Sequence, residues 1–154
     1  MKKLKIKGID YIKYDTGVMV PASCVNESQK ISNPESVLPL LGSIQCESQE
    51  VFMVITLDGS SQTIQAREVT RGLVNQSQIH PREVFRQAIK DNAVSIVIAH
   101  NHPSGSLNAS AADQETTKRL VKASKIIGIG ILDHIIVSPK GHKSIREENP
   151  ELFI

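Results

Sequence analysis

Hydrophobic residues recur along this chain with two different periods, and each period predicts a different kind of element. An apolar run over residues 51–57 is followed by the turn pair Asp58-Gly59 and by a second strand that starts near Thr63, which together predict a β-hairpin. The run over residues 94–99 is apolar without alternation. Such a run is typical of a central strand that is buried on both faces.

Helical periodicity occurs in two longer segments. Residues 80–93 predict a helix that begins at Pro81. The buried face of that helix is predicted to consist of Val84, Phe85, Ala88 and Ile89. Residues 110–128 predict an amphipathic helix with Ser110 as its N-cap and Gly128 at its C-terminal end.

The remaining segments carry weaker signals. Residues 2–9 alternate charged and apolar side chains, which predicts an edge strand or an extended arm, and residues 15–33 predict a turn-rich lead-in. A short helix is predicted over residues 34–42, and Pro39 should kink or shorten it. A last strand is predicted over residues 130–138. The alternation of strands and helices favours an α/β fold.

The composition is typical of a folded globular protein. Of 154 residues, 40% are hydrophobic and 22% are charged, and this length suits one domain. No apolar run approaches the roughly 20 residues that span a bilayer, and no signal-peptide-like apolar segment follows the basic N-terminus. Cys24 and Cys46 form no Cys-x-x-Cys pair, which indicates a reducing compartment. We therefore expect a cytoplasmic protein with no membrane partner.

Positive charge is concentrated at the N-terminus. Residues 1–30 contain six lysines and three acidic residues, a net charge of +3, and because the whole chain carries +2 the other 124 residues sum to −1. Aromatic side chains, which stack on bases, make up only 3% of the chain. A basic lead-in without a basic body disfavours nucleic acid as the main partner.

One short stretch, "AHNHPSGSLNASAAD" at residues 99–113, contains a pattern of metal-ligating residues. His100 and His102 are alternate residues at the end of a predicted strand, so both side chains can face one point. A Pro-Ser-Gly turn and a loop then lead to Asp113 in the first turn of the next helix. Two imidazoles and one carboxylate suit zinc, and three protein ligands leave a fourth position for a water molecule that zinc activates as a nucleophile.

A zinc hydrolase also needs a carboxylate that moves protons and is not itself a ligand. Glu50, at the start of the first apolar strand, is the best placed, and Glu47 and Glu83 remain alternatives. Ser110 is a candidate donor to the oxyanion of a tetrahedral intermediate. Ser110 is equally well explained as an N-cap, because Asp113 three residues later completes a variant capping box. Capping and metal binding are compatible, since a carboxylate has two oxygens.

The other histidines have simpler explanations. His80 precedes a proline at a helix entry, and His134 alternates with apolar neighbours, as a packed and hydrogen-bonded histidine does. His142 lies in a predicted turn, where we expect it to be solvated.

The stretch at residues 99–113 resembles the signature of the JAB/MPN (JAMM) metalloproteases, two histidines one residue apart followed after ten residues by an aspartate. Residues 71–105 and 130–138 closely resemble the RadC family of bacterial proteins. The resemblance extends from about Asn33 to Glu147, roughly three quarters of the chain.

The resemblance implies a set of functional residues. It implies zinc bound by His100, His102 and Asp113, with Glu50 as the acid/base glutamate. The serine that the family places three residues before the aspartate matches Ser110. Relatives with known chemistry cut peptide or isopeptide bonds, so the implied partner is a peptide or protein substrate.

The resemblance also implies the architecture. We expect a single JAB/MPN domain over residues 33–154, a mixed β-sheet flanked by helices that is related in architecture to cytidine deaminases. Residues 1–32 form a basic lead-in that matches no part of the family pattern.

Three other functions fit the residues less well. RadC proteins usually carry an N-terminal helix-hairpin-helix region suited to DNA, for which we expect no room here, and salt-sensitive DNA binding through the lysine-rich lead-in is the remaining route. A non-catalytic JAB scaffold typically has lost metal ligands, which are all present here. A zinc deaminase needs His-x-Glu and Pro-Cys-x-x-Cys elements that the sequence lacks. Neither the physiological substrate nor the oligomeric state follows from the sequence.

Overall fold

The computed structural model contains two β-sheets and describes residues 2–6, 9–13, 19–21, 29–72 and 79–154. In the smaller sheet, β1 (Lys2–Ile6) pairs with β2 (Ile9–Lys13), and β2 pairs with β3 (Met19–Pro21), all antiparallel. The alternating N-terminal segment is therefore an edge strand, as predicted. Strand β3 lies inside the predicted lead-in, and its proline is tolerated because β3 is also an edge strand of this sheet. The rest of that lead-in up to residue 28 lies outside the described residues.

The larger sheet has five strands in the order β5-β4-β6-β7-β8. The strands are β4 (Val51–Leu57), β5 (Thr63–Arg71), β6 (Ser95–Asn101), β7 (Gly130–Ser138) and β8 (Gly141–Ser144). Strands β6 and β7 are parallel, and every other neighbouring pair is antiparallel. The parallel pair needs a crossover connection, which α3 (Ala111–Ile127) provides. The mixed sheet with its helices confirms the α/β class.

The predicted hairpin consists of β4 and β5, joined by a loop over residues 58–62. Asp58 Oδ1 accepts hydrogen bonds from the backbone N–H groups of Ser60 at 2.8 Å and Gln62 at 2.9 Å. The Asp58 side chain thus organises a loop that begins at the predicted turn but is longer than a two-residue hairpin connection.

The short helix predicted near residue 34 is present in two parts. A 3₁₀ turn over Pro34–Val37 leads into α1 (Leu38–Leu41), which ends at Gly42. Pro39 lies in the first turn of α1, where its missing N–H breaks no helical hydrogen bond. The proline therefore shortens the helix without disrupting it.

Helix α3 begins and ends as predicted, with Ser110 as its N-cap and Gly128 in the left-handed region at φ 81°. The chain ends in α4 (Ile145–Glu148) and a 3₁₀ turn over Pro150–Phe153. Among the described residues, no helix has the length and apolar character that crossing a membrane requires. Cys46 is a free, exposed thiol.

Helix α2 (Pro81–Lys90) buries Val84, Phe85 and Ala88, as predicted. Ile89 is 58% exposed, so its predicted place on the buried face is wrong. At about 100° per residue, Ile89 lies on the far side of Phe85 from Val84 and Ala88, at the margin of the buried arc. It is also one residue from the end of the helix, where the packed face ends.

The two faces of the larger sheet carry separate hydrophobic layers. Even-numbered residues of β4 and β6, such as Phe52 and Ile98, pack with α2 and α3, whereas odd-numbered residues, such as Ile55 and Val97, pack with α1. All seven residues of β6 are buried, which confirms the predicted central strand. Because side chains alternate along a strand, the end of β6 directs its histidines toward α3.

Candidate metal centre

The two histidines of the sequence pattern lie at the carboxyl end of β6, on the face that α3 covers. His100 is fully buried, and the side chain of His102 is 13% exposed. Phe52 is the partner of His100 in β4, and its ring stacks on the His100 ring with the centroids 6.2 Å apart. The backbone N–H of His102 donates to the carbonyl oxygen of Val137 at 2.9 Å. These contacts hold both histidines at the carboxyl end of the central strand β6.

Asp113 reaches the histidines from the N-terminus of α3. Ser110 Oγ accepts a hydrogen bond from the Asp113 backbone N–H at 3.1 Å, and Asp113 Oδ2 accepts one from the Ser110 backbone N–H at 2.6 Å. This reciprocal capping box, which the sequence predicts, fixes the Asp113 side chain. The carboxyl group is fully buried.

Short distances join the three residues. The Nε2 atoms of His100 and His102 are 2.9 Å apart. Asp113 Oδ1 lies 3.2 Å from His100 Nε2, and Asp113 Oδ2 lies 3.3 Å from His102 Nε2. One ligand atom from each residue lies within 4.8 Å of the other two. The fold therefore brings together the three residues that the sequence selects as metal ligands.

The chemistry of these donor atoms fits a metal ion. His102 Nδ1 lies 3.0 Å from the carbonyl oxygen of Ser106, which only accepts, so Nδ1 carries a proton and Nε2 of the neutral ring has a lone pair. Asp113 Oδ1 is buried and receives no hydrogen bond from the described residues. A buried acceptor without a donor is costly, and a cation among these lone pairs removes that cost. Imidazole nitrogen and carboxylate oxygen together suit a divalent metal ion.

The ionisation of Asp113 also suits a cation. Burial alone would raise the pKa of Asp113, but the adjoining imidazoles of His100 and His102 outweigh it and hold the pKa of this carboxyl well below its usual range. The neighbouring Asp113 carboxylate raises the pKa of His102. Asp113 is therefore a carboxylate at a point enclosed by protein.

Glu50 stands one residue before β4, where its backbone carbonyl accepts a hydrogen bond from the Gly72 N–H at 2.8 Å. Its side chain is half-buried. Burial raises the pKa of the Glu50 carboxyl, and the charges of His100, Asp113 and His102 also act on it. A carboxyl with a raised pKa beside the candidate ligands suits proton transfer.

The two alternatives to Glu50 have other partners. Glu47 Oε2 lies 3.1 Å from Arg71 Nη1, and Glu83 Oε1 lies 3.1 Å from Arg82 Nε. Glu47 and Glu83 are thus held in ion pairs with arginines, and the role of Glu50 as the acid/base group stays a prediction. Ser110 Oγ uses a lone pair to cap α3, which leaves its hydroxyl hydrogen for an oxyanion, and that role also stays a prediction.

His134 lies directly behind His100, and the prediction that it is packed and hydrogen-bonded is confirmed. His134 Nε2 is 2.8 Å from His100 Nδ1, and His134 Nδ1 is 2.7 Å from Thr117 Oγ1. Burial holds the pKa of His134 well below its ordinary value. The sequence pattern assigns no role to Thr117, although its position four residues after Asp113 places it on the same face of α3. It also assigns none to Asn101, which lies between the two histidines.

The other two described histidines, His80 and His142, have side-chain contacts with residues outside this group. His80 is the N-cap of α2, and its Nδ1 accepts a hydrogen bond from the Arg82 backbone N–H at 3.1 Å, as expected for a helix entry. The expectation of a solvated turn position for His142 is wrong. The turn ends before it, so His142 pairs with Val137 in β8 and its Nε2 lies 3.6 Å from Glu35 Oε1.

Comparison with known proteins assigns the family. A family model described as the RadC-like JAB domain matches residues 31–150. This chain belongs to the RadC-like JAB family. It is 40% identical to a UPF0758 protein of Finegoldia magna over 94% of this chain and 68% of that protein. It is 42% identical to a UPF0758 protein of Clostridium perfringens over 78% of this chain and 53% of that protein. It is 43% identical to a UPF0758 protein of Methanospirillum hungatei over 78% of this chain and 54% of that protein.

The match confirms the resemblance to RadC and covers every residue of the candidate metal centre. JAB domains form a superfamily related to hydrolases. This RadC-like chain spans about half to two thirds of the length of the curated relatives it matches.

Proposed function

We propose that this RadC-like JAB domain is a zinc-dependent hydrolase that cleaves amide bonds in a peptide or protein. The observation that carries the proposal is the convergence of His100, His102 and Asp113 on one point. Asp113 Oδ1 is buried there and accepts no hydrogen bond from any described residue. Two imidazoles and one carboxylate form a ligand set of catalytic zinc sites, which keep one coordination position open.

Zinc bound here would supply Lewis acidity, which polarises a carbonyl group and makes water nucleophilic at neutral pH. The Glu50 carboxylate takes a proton from the attacking water as the new C–O bond forms. It then gives that proton to the amide nitrogen as the C–N bond breaks. The Ser110 hydroxyl donates a hydrogen bond to the carbonyl oxygen while that oxygen is negatively charged. The new carboxylic acid then loses its remaining proton to the amine. The products are a carboxylate and an ammonium group, which together contain all the atoms of the water molecule.

Burial around the group defines the side from which a substrate enters. His100 and Asp113 are fully buried, whereas His102 is partly exposed. A substrate carbonyl therefore approaches past His102 and the loop that follows it. The closed side behind His100 excludes bulk water, which strengthens electrostatic interactions at the reacting atoms.

The first experiment measures metal content by elemental analysis of the untagged chain. We expect about one zinc ion per wild-type chain, strongly reduced zinc in His102→Ala, and wild-type zinc in the matched control His142→Ala. No bound zinc after incubation with excess metal would overturn the proposal.

The second experiment measures amide hydrolysis by mass spectrometry on a peptide library. Cleavage by the zinc-loaded chain, lost on chelation and restored by zinc, supports the proposed reaction. Cleavage that persists unchanged after chelation, with the zinc removed, would contradict it.

A further inference from the structure

Behind the candidate ligands, a row of three hydrogen bonds connects α3, β7 and β6. The Thr117 hydroxyl donates to the backbone carbonyl oxygen of Asp113 at 2.7 Å. Thr117 Oγ1 also lies 2.7 Å from His134 Nδ1, and His134 Nε2 lies 2.8 Å from His100 Nδ1. The row starts at the backbone of one candidate ligand and ends on the ring of another.

The direction of each hydrogen bond follows from its starting point. A carbonyl oxygen only accepts, so the Thr117 hydroxyl uses its single proton on Asp113. Thr117 Oγ1 is then an acceptor toward His134, and His134 Nδ1 carries a proton.

The same logic extends to His100. His134 is fully buried, and its two ring nitrogens meet a hydroxyl and another imidazole rather than an anion, so the ring is neutral. With its proton on Nδ1, neutral His134 can only accept at Nε2. The proton between the two rings therefore belongs to His100 Nδ1.

We propose that Thr117 and His134 are positioning residues that fix His100 as its Nδ1–H tautomer. This tautomer directs the lone pair of His100 Nε2 toward His102 and Asp113. Metal-ligating histidines commonly donate their second ring N–H to a carbonyl or carboxylate. Here the acceptor is a neutral histidine, which transmits the orientation from the backbone of Asp113. The inference rests on the proposed function only for the metal, because the proton on His100 Nδ1 is a property of the metal-free chain.

A different explanation is purely structural. Threonine hydroxyls in helices often bond back to the carbonyl four residues earlier, with no consequence beyond the helix. The two explanations differ in what happens at His100 when the hydroxyl is removed. Thr117→Val removes it at nearly constant volume, and Thr117→Ser keeps it.

The test is nitrogen-15 NMR of histidine tautomers in the metal-free full chain at about pH 8, above the ordinary imidazole pKa. Wild type and Thr117→Ser should show His100 protonated at Nδ1 and His134 unprotonated at Nε2. In Thr117→Val we expect a mixture of His100 rings with and without a proton at Nδ1, and a zinc dissociation constant raised about 10- to 100-fold. Recovery in the serine variant would assign the effect to the hydroxyl rather than to packing.

Two results would overturn the inference. One is a wild-type His100 that is unprotonated at Nδ1, a measurement that needs no variant to fold. The other is a folded Thr117→Val chain with the wild-type tautomer and zinc affinity. Failure of the proposed function gives a different result. A wild-type chain with the expected proton on His100 Nδ1 but no zinc binding would support the row of three hydrogen bonds and contradict the proposed zinc site.

Discussion

The side-chain oxygen of Asn101 accepts a hydrogen bond of 2.6 Å from the backbone N–H of Val51. Its amide nitrogen donates to the carbonyl oxygens of Gln49 at 3.0 Å and Glu47 at 3.3 Å. Glu50 lies between these anchored residues. One buried amide, on the face of β6 opposite to the histidines, therefore holds the segment that carries the proposed proton-transfer group.

The variant Asn101→Asp tests this clamp. Its carboxylate can still accept from Val51 but opposes the two carbonyl oxygens without a donor. We expect the free energy of unfolding to fall by about 1–3 kcal/mol. We also expect kcat to fall about tenfold or more while bound zinc is retained, because the histidines lie on the other face. Urea unfolding, elemental analysis and steady-state kinetics measure these changes. Asn92→Asp, the same change at an exposed position, should match wild type.

The acid/base assignment is tested by two glutamine variants. Glu50→Gln should keep bound zinc and lower kcat by about 10²- to 10⁴-fold, since the amide cannot accept and return a proton. Glu47→Gln removes a charge that pairs with Arg71 and should leave kcat near wild type. Equal activity of Glu50→Gln and wild type would exclude Glu50 as the proton carrier.

Ser110 combines two roles that substitutions can separate. Ser110→Ala should lose about 1 kcal/mol of stability through the missing cap and also lower kcat. Ser110→Asn supplies another good N-cap side chain but no hydroxyl, so we expect near-wild-type stability and a kcat about 10²- to 10³-fold lower. Thermal unfolding and kinetics on the same preparations give both quantities. If kcat follows stability across the two variants, Ser110 is only a cap.

A partly buried ion pair away from the candidate metal centre, between Asp91 and Arg67, makes the stability of the fold depend on pH. The Asp91 carboxylate is 7% exposed, accepts from Arg67 Nη2 at 2.7 Å and accepts from the Thr56 hydroxyl at 2.7 Å. The hydrogen bonds from Arg67 outweigh the effect of burial and lower the pKa of Asp91. Its folded-state pKa is thus below its unfolded-state value. The ionised Asp91 carboxylate therefore contributes its full stabilisation of the fold above the unfolded-state pKa. That contribution is lost as the pH falls through the folded-state pKa.

The prediction concerns the difference in free energy of unfolding between wild type and Asp91→Asn. At neutral pH the variant should be about 1–3 kcal/mol less stable. That difference should narrow below about pH 4, near the unfolded-state pKa of aspartate. Urea unfolding across a pH series measures it. Glu68→Gln, in an exposed pair with Arg71, should cost less than about 1 kcal/mol. A difference for Asp91→Asn that is constant across the pH series would show that the carboxylate charge is not its source.

Local sequence pattern was sufficient for the elements that position the candidate site. The apolar run of β6, the turn at Asp58 and the capping of α3 by Ser110 each depend on residues that are neighbours along the chain. The candidate ligands followed from local pattern as well, because strand alternation places His100 and His102 on one face and the capping box places Asp113 in the first turn of α3.

Contacts across the fold could not be predicted in this way. Thr117 and His134 meet only because α3 crosses between β6 and β7 and brings the parallel strands together. The sequence left Glu47 and Glu83 as alternatives to Glu50. No local period encodes the hydrogen bonds by which Asn101 holds the backbone on either side of Glu50. His142 was assigned to a turn because a four-residue edge strand carries too little pattern to recognise.

Strand β6 is hydrogen-bonded to β4 on one side and to β7 on the other, and both of its faces are covered. Amides on such a strand exchange with solvent mainly when the whole fold opens, whereas helix termini and loops open locally at much lower cost. His100 therefore belongs to the most slowly exchanging part of the domain, and Asp113 belongs to a helix terminus. Any adjustment of the group to a ligand comes from the ten residues that connect His102 to Asp113.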